Sequence, residues 1–441
     1  MIRTLTDLPR WLLLAGLVLA PWAYGCTRPW AMTSLNALLS VLLVAWGVSC
    51  AWRRSWPTVP PWLAGASAWL IVQAWLRAAG GSPLEAAWRA TGLLGTLCFV
   101  SDLARRSSWR KRLWWGMGLT GSSIIAFGLV QRMAGAPAIF WAEAGESETF
   151  HAAGVFFATF DYHANAGAFL NLVWPLIAGL TIHAFGKSTA HGQRAFWTVA
   201  LALGLVAIFV NTSRGSQVVG GVLLVVLLGW LAGELLRRRL SGFNPWIGAL
   251  MVALLLGLVA AAAASVGLES SAHRWGFFMR DATVLNLRRD VWTVCLQLVP
   301  DAGWLGFGPG TFRDVFQTRV AADAAHFKGI EFAHQDYLQA LLEWGYLGAA
   351  AWALILVGGI ARGAQAMFQD RSRRLSSDQL LRVAGLTAVF GVMLHSLVDY
   401  PLQIASLQLY TAVLLGMLWN CGAWADPRNG GETEFTRDER R

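Results

Sequence analysis

The feature that most constrains this chain is a succession of apolar stretches, each near the length of one bilayer crossing. About 20 apolar residues span a hydrocarbon core roughly 30 Å thick. Inside it no water is available to the backbone, so each stretch has to close its own hydrogen bonds as a helix. Such stretches fall near 9–26, 29–52, 61–79, 84–104, 113–131, 164–185, 195–213, 216–236, 245–267, 337–361, 380–397 and 400–422. They predict an all-α integral membrane protein with about 12 transmembrane helices. A composition 56% hydrophobic and only 14% charged leaves no soluble alternative, and the 25 tryptophans suit a headgroup region that favours indole rings. Arg3 and Arg10 give the first stretch the flank of a signal peptide, but no small-x-small cleavage site follows and a second stretch begins almost at once. The expectation is a retained helix.

The net charge of +10 is carried almost entirely by arginine, dispersed among short loops and not gathered on one face, which argues against nucleic acid as a partner and for topology. Arg53 and Arg54, the run from Arg105 to Arg112, Lys187 and Arg194, Arg237 to Arg239, and Arg362 to Arg374 all fall on one side if there are twelve crossings. By the positive-inside rule that side is cytoplasmic, with both termini there. The opposite side receives a segment around 132–163 and one long loop. The expected divisions are helices 1–9 in 1–267, a cap loop containing helices in 268–336, helices 10–12 in 337–424, and a cytoplasmic tail in 425–441. Cys26, Cys50, Cys98, Cys295 and Cys421 have no paired spacing and suggest neither a disulfide framework nor a zinc site.

Polar groups concentrate at the outer ends of the spans. In FAHQDYLQALLEWGYLG, the cluster His334, Gln335, Asp336 and Tyr337 runs straight into a helix whose Leu338, Leu341, Leu342 and Leu347 predict one apolar face. A histidine in the cap region at a membrane surface suits a general base toward a sugar hydroxyl; it also suits a plain interfacial cap. In FATFDYHANAGAFLNL, Asp161, His163 and Asn165 precede a span, where they either hydrogen-bond a polyhydroxylated ligand or cap the helix. Their spacing matches no metal site, and none is assigned.

In FVNTSRGSQVVGGVLL, Arg214 occupies a short turn between two apolar helices, on the side where arginine is disfavoured. A guanidinium there is costly unless paired or facing water, which makes it a functional candidate. Asn211, Thr212, Ser213 and the following helix N-terminus add donors that suit an anion such as a lipid-linked phosphate. The competing reading is an arginine that snorkels to ordinary headgroups.

The long loop balances seven basic against eight acidic residues, as a small folded cap would. Within it, NLRRDVWTVCLQLVP predicts an amphipathic helix ended by Pro300, with Leu287, Val291, Val294 and Leu298 on its apolar face and Arg288 beside it. GWLGFGPGTF permits a tight, exposed turn but lacks the strand and lysine of a nucleotide-binding loop. In HSLVDYPLQ, His395 and Asp399 are one helical turn apart, which predicts a hydrogen-bonded pair of structural character.

Taken in order, TFDYHANAGAFL, NTSRG, RRDVW leading to WLGFGPGTF, AHQDYLQALLEWGYLG and HSLVDYPLQ resemble the bacterial O-antigen ligase and polymerase superfamily of polytopic glycosyltransferases. The likeness covers the C-terminal two-thirds of the chain. It implies a twelve-helix protein of the inner membrane with a large periplasmic loop between spans nine and ten. It implies a glycan donor on undecaprenyl diphosphate, a lipid A-core acceptor, and transfer without metal, nucleotide or other cofactor. Carried over by motif, Arg214 and Arg288 would bind the diphosphate and His334 would activate the acceptor hydroxyl. Arg89, His163, Asn165, Ser213, Arg289, Gln335, Asp336 and Tyr337 are secondary candidates.

Ligase, polymerase and protein O-oligosaccharyltransferase share most of these motifs. The Arg-x15-Gly pattern associated with polymerases has only Arg313 to Gly329 in one loop, which tilts the expectation to a ligase. A multispan transporter would instead place ionisable residues near span midpoints and show paired half-sequence repeats. The nearest feature is Arg89, one turn after Glu85, and it equally suits a role at the diphosphate site.

Overall fold

The computed structural model describes residues 2–136, 138–141, 156–186, 190–238, 283–321, 325–327, 329–370 and 375–425. The predicted span near 245–267, the acidic Glu143, Glu146 and Glu148, the first part of the cap loop at 268–282, Lys187, Arg239, Arg371, Arg373, Arg374 and the tail beyond 425 lie outside them.

The described chain is helical: α1 (Ile2–Trp22), α2 (Pro29–Arg53), α3 (Pro61–Leu76), α4 (Gly81–Leu103), α5 (Ser107–Met133), α6 (His163–Phe185), α7 (His191–Val210), α8 (Arg214–Arg238), α9 (Thr283–Ala302), α10 (Phe312–Arg319), α11 (Asp336–Gln369), α12 (Ser377–His395) and α13 (Ala405–Trp419). Proline opens α2 and α3, where its missing N–H costs nothing. Ser376 caps α12 by accepting from the Gln379 N–H at 3.1 Å. α2, α5, α6, α7, α8, α11 and α12 are long and apolar enough to cross a membrane, and α13 is a shorter apolar helix. This is a multi-pass membrane protein.

At the centre stands α6, apolar around its whole circumference and buried along most of its length, packed by α5, α7, α8 and α12. Inside the bundle Asn171 donates from Nδ2 to the Ser216 carbonyl at 2.8 Å. At one end of the bundle, Arg110 is bonded by Nε and Nη2 to Asp378 at 3.1 and 2.5 Å. Arg110 and Arg382 both lie against the Trp424 ring, so arginines clamp α5 and α12 to the segment that follows α13. At the other end, α9 and α10 form a cap with its own core of Val291, Cys295, Leu298, Phe312 and Phe316, joined by Leu338 and Leu342 of α11.

Three expectations need correction. The apolar face predicted for the start of α11 stops short of Leu347, which is 43% exposed, because Gly345 breaks the helix with a φ of 62° and redirects the residues after it. Pro300 stands inside the last turn of α9, which runs two residues further to Ala302; it removes one N–H bond there, and the helix stops within that turn. The glycine-rich turn is exposed only in part: Trp304 and Leu305 are exposed, whereas Gly306 and Gly308 are buried against the break in α11. There Phe307 and Gly308 donate backbone N–H groups to the Leu342 and Glu343 carbonyls, both at 2.9 Å, and Tyr346 and Leu347 donate back to Gly303 and Trp304 at 3.1 Å. A Cβ on Gly306 would lie 2.3 Å from the Glu343 oxygen. The glycines therefore let two backbones bond where the helix has no internal partners.

Candidate active site

The site is built on the entry to α11 and on the short turn between α12 and α13. The backbone N–H of Asp336 bonds the Ser396 carbonyl at 3.0 Å, and its buried carboxylate accepts from Ser396 Oγ (2.8 Å), the Leu402 N–H (2.9 Å) and Gln403 Nε2 (3.0 Å). With its oxygens engaged in this way, Asp336 fastens the two segments together and is not available as a base. Tyr337 donates its hydroxyl to the Met393 carbonyl at 2.7 Å and adds a second fastener. Gln335 is the extended N-cap residue, with no side-chain capping bond.

His334 immediately precedes that cap with a φ of 51°, a left-handed conformation uncommon for a residue with a Cβ. It aims the imidazole at the α12–α13 turn, where Nδ1 lies 3.3 Å from Asp399 Oδ1. Asp399 also accepts from the Tyr400 N–H at 3.1 Å and from Arg288 Nη2 at 3.4 Å, while Arg288 Nη1 donates to the Val398 carbonyl at 2.6 Å. Burial pushes the Asp399 carboxyl up, but the hydrogen bond from His334 and the charge of Arg288 outweigh it and hold the group below the usual carboxylate range. An ionised carboxylate at Nδ1 favours the tautomer with its proton there, which leaves Nε2 as the basic nitrogen.

Asp399 was legible in the sequence as a partner for His395, and the structure corrects this. His395 is buried with no hydrogen-bond partner at Nδ1, whereas Asp399 faces His334, 65 residues away in the chain. The turn itself persists, with the Asp399 N–H donating to the His395 carbonyl at 3.0 Å, so the two residues are joined through their backbones while the carboxylate turns to His334.

The cap delivers Arg288 through α9. Arg288 and Trp292, four residues apart, share a helix face, and Trp292 Nε1 bonds the Ala333 carbonyl at 3.0 Å, next to His334. Arg289, one residue on, is exposed, and none of the site's bonds described above involves its side chain.

Arg214 is the first residue of α8, after a turn in which Thr212 has a φ of 64°. A β-branched residue in that region is strained and persists only where its surroundings demand it. The surroundings here are the head of α6: Asn211 Nδ2 donates to the His163 carbonyl at 2.9 Å, and a Cβ on Gly167 would lie 2.4 Å from Ser216. Ser213 Oγ accepts from the Ser216 N–H at 3.3 Å, so it caps α8. The buried Asn165 sits two residues into α6, at the same level. A Cβ on Gly215 would stand 3.7 Å from both His395 Nε2 and Val398 Cγ2. The Arg214 turn thus packs on the same 395–399 segment that receives Arg288 and His334.

Residues 199–353 match the family model described as O-antigen ligase. This stretch is similar to the O-antigen ligase family. No curated protein matches the chain. The ligase-family match takes in Arg214, Arg288, the glycine clasp and His334, while Asp399 lies beyond it.

Beside this site is a cavity of ≈ 780 Å³ between α4, α11 and α13, with Asp161, Tyr162, Asn165, Phe332 and Tyr400 around its mouth. Tyr400 stacks on Phe332 (4.4 Å) and Tyr162 (6.0 Å) and meets the His334 ring edge-on at 5.0 Å, so it separates the imidazole from the cavity. Arg89 lines this cavity; Arg214 and Arg288 do not. Arg89 thus faces a cavity whose lining includes neither of the other two arginines.

Proposed function

We propose that this protein is an O-antigen ligase: it transfers a glycan from undecaprenyl diphosphate to a sugar hydroxyl of the lipid A core at the outer face of the bacterial inner membrane. The observation that carries the reading is the network in which one buried carboxylate, Asp399, meets both His334 and Arg288. In the proposed step, His334 Nε2 takes the proton of the acceptor hydroxyl as its oxygen bonds the anomeric carbon. The bond from that carbon to the diphosphate oxygen breaks, and its electron pair leaves with the diphosphate. Arg288 and Arg214 stabilise the charge that develops there, and in-line attack inverts the anomeric configuration. Arg288 directs Nη1 and Nη2 to Val398 and Asp399, which leaves its remaining N–H groups for an anion. The scheme uses no metal, nucleotide or covalent intermediate. Ser213, His163 and Asn165 shape the Arg214 pocket, and Gln335 and Tyr337 shape the acceptor side.

The reading carries with it twelve crossings, a cap over 268–336 on the periplasmic side, a cytoplasmic tail after 424 and both termini in the cytoplasm. The arrangement of α12 supports this: Arg382 near its start joins the arginine clamp, and His395 at its end joins the site, roughly 20 Å away at 1.5 Å per residue. Polymerase and protein O-oligosaccharyltransferase differ from this reading in the acceptor. The deciding experiment is the lipopolysaccharide gel of a deletion strain. The expected pattern is loss of every polymer band from the lipid A core with polymer retained on its carrier, restored by the wild-type gene and not by His334→Ala. A single-repeat band in the deletion strain would overturn the ligase reading in favour of a polymerase.

A further inference from the structure

The wall of the ≈ 780 Å³ cavity changes character with depth. At the mouth stand carboxylates and aromatic rings, Asp161 and Phe332 among them; at the floor stand Leu97, Leu356 and Leu415. On α4 the lining runs from Ser82 to Leu97, about 22 Å of helix at 1.5 Å per residue, which is over half of a hydrocarbon core of about 30 Å. Ala353 and Val357 of α11 both line the cavity and are exposed, and an exposed apolar residue on a membrane helix faces lipid. A hydrocarbon chain therefore has a way in from the bilayer.

Between mouth and floor sits Arg89. Among the described residues its guanidinium makes one hydrogen bond, to Met32 Sδ at 3.8 Å, and a thioether is a weak acceptor. The neighbouring carboxylates have other commitments: Glu343 accepts from Gln339 Nε2 (3.1 Å) and the Phe312 N–H (3.4 Å), Glu331 pairs with Arg313 (3.3 Å), and Asp161 pairs with Arg28 (3.0 Å). Glu343 and, less strongly, the exposed Glu85 one turn away on α4 act on Arg89 by charge, but its one hydrogen bond among the described residues is the one to Met32. A cation held at this depth without a bonded carboxylate is a binding group by default.

We propose that this cavity seats a phosphate-bearing glycolipid, with its chains on the apolar floor, its phosphate on Arg89, and its sugars at the mouth, where carboxylates accept hydroxyl hydrogen bonds next to His334. On the function proposed above, which this inference rests on for the name of the ligand, that lipid is the acceptor, since neither Arg214 nor Arg288 lines the cavity. The acceptor hydroxyl then approaches His334 past Tyr400, while the donor diphosphate lies on the far side of that ring.

The test uses the full chain in phosphatidylcholine nanodiscs. The probes are lipid A with its phosphates, the same lipid A dephosphorylated, and inorganic phosphate. Wild-type protein retains phosphorylated lipid A, and Arg89→Gln lowers that affinity tenfold or more, with partial recovery in Arg89→Lys. Dephosphorylated lipid A binds both proteins weakly, and inorganic phosphate competes poorly because it lacks the chains. Ala353→Trp narrows the lateral opening without touching Arg89 and lowers retention as well, so a poorly folded Arg89 variant does not decide the matter. Equal retention by wild-type and Arg89→Gln proteins, tight binding of the dephosphorylated lipid, or ready displacement by inorganic phosphate would each overturn the proposal. In transfer assays the increase falls on the acceptor KM; an increase in donor KM instead would assign the cavity to the donor and overturn it too. Retention is read without turnover, so its outcome stands whichever way the lipopolysaccharide gel decides the reaction.

Discussion

Asp399→Asn is the most informative single change, because it keeps the shape of the side chain and removes the charge that His334 and Arg288 share. An amide offers its NH2 or its oxygen to Nδ1 and no longer enforces the tautomer that leaves Nε2 basic. A hydrogen bond to a charged group contributes about 1.5–3 kcal/mol. The His334 and Arg288 contacts are long, at 3.3 and 3.4 Å, so the lower half of that range applies. At about 1.4 kcal/mol per tenfold, the expected loss in kcat/KM is about 10- to 40-fold. The assay is transfer by purified protein across pH, with donor affinity measured separately. Since the folded-state pKa of Asp399 is depressed, the stability it contributes is fully present above the unfolded value of about 3.9 and is lost as pH falls through the lower folded value. Wild-type protein therefore loses thermal stability on acidification in that range, and Asp399→Asn lacks that component. A variant with wild-type transfer at every pH, or one whose acid-induced loss of stability is unchanged, would refute the assignment of Asp399 as the residue that positions His334.

Other outcomes follow from the same geometry. Arg214→Lys should lose most transfer while accumulating normally in the membrane, because a point charge does not replace a planar fork; the double variant with Arg288→Lys should be scarcely worse than either single one, whereas multiplying losses would place the two residues at separate sites. Gly345→Ala should lower the thermal midpoint, since a φ of 62° alone costs about 1–2 kcal/mol for a residue with a Cβ and that Cβ would stand 2.3 Å from the Gly306 nitrogen; an unchanged midpoint would mean the clasp is not formed. Reporters fused after Arg112 and after Arg319 should fall in the cytoplasm and the periplasm respectively, and finding both on one side would end the twelve-crossing topology.

What the sequence determined on its own is whatever depends on the bilayer and on local spacing. Apolar length sets the helices, since lipid leaves the backbone no other partner, and the described helices stand close to where the apolar stretches predict them. Helical period placed Arg288 and Trp292 on one face of α9, and the breaks at Asn211–Ser213 and at the entry to α11 were visible as polar interruptions of apolar runs. Pairing across the chain was not visible in this way. Asp399 stands one turn from His395 and keeps the backbone bond to it, yet its carboxylate belongs to His334 because Asp336 pins the turn against the entry of α11. Arg89 equally suited a role at the diphosphate site, and the packing of α4 against α13 and α2 sets it in the wall of a cavity that neither Arg214 nor Arg288 lines. The four glycines of the loop after α9 advertised a turn, but only the contact of Gly303 and Gly306 with Gly345 shows that this turn completes a broken helix. Local patterns specify which groups each helix carries, whereas backbone breaks and close approaches decide which of those groups meet, and these depend on atoms tens to hundreds of residues apart.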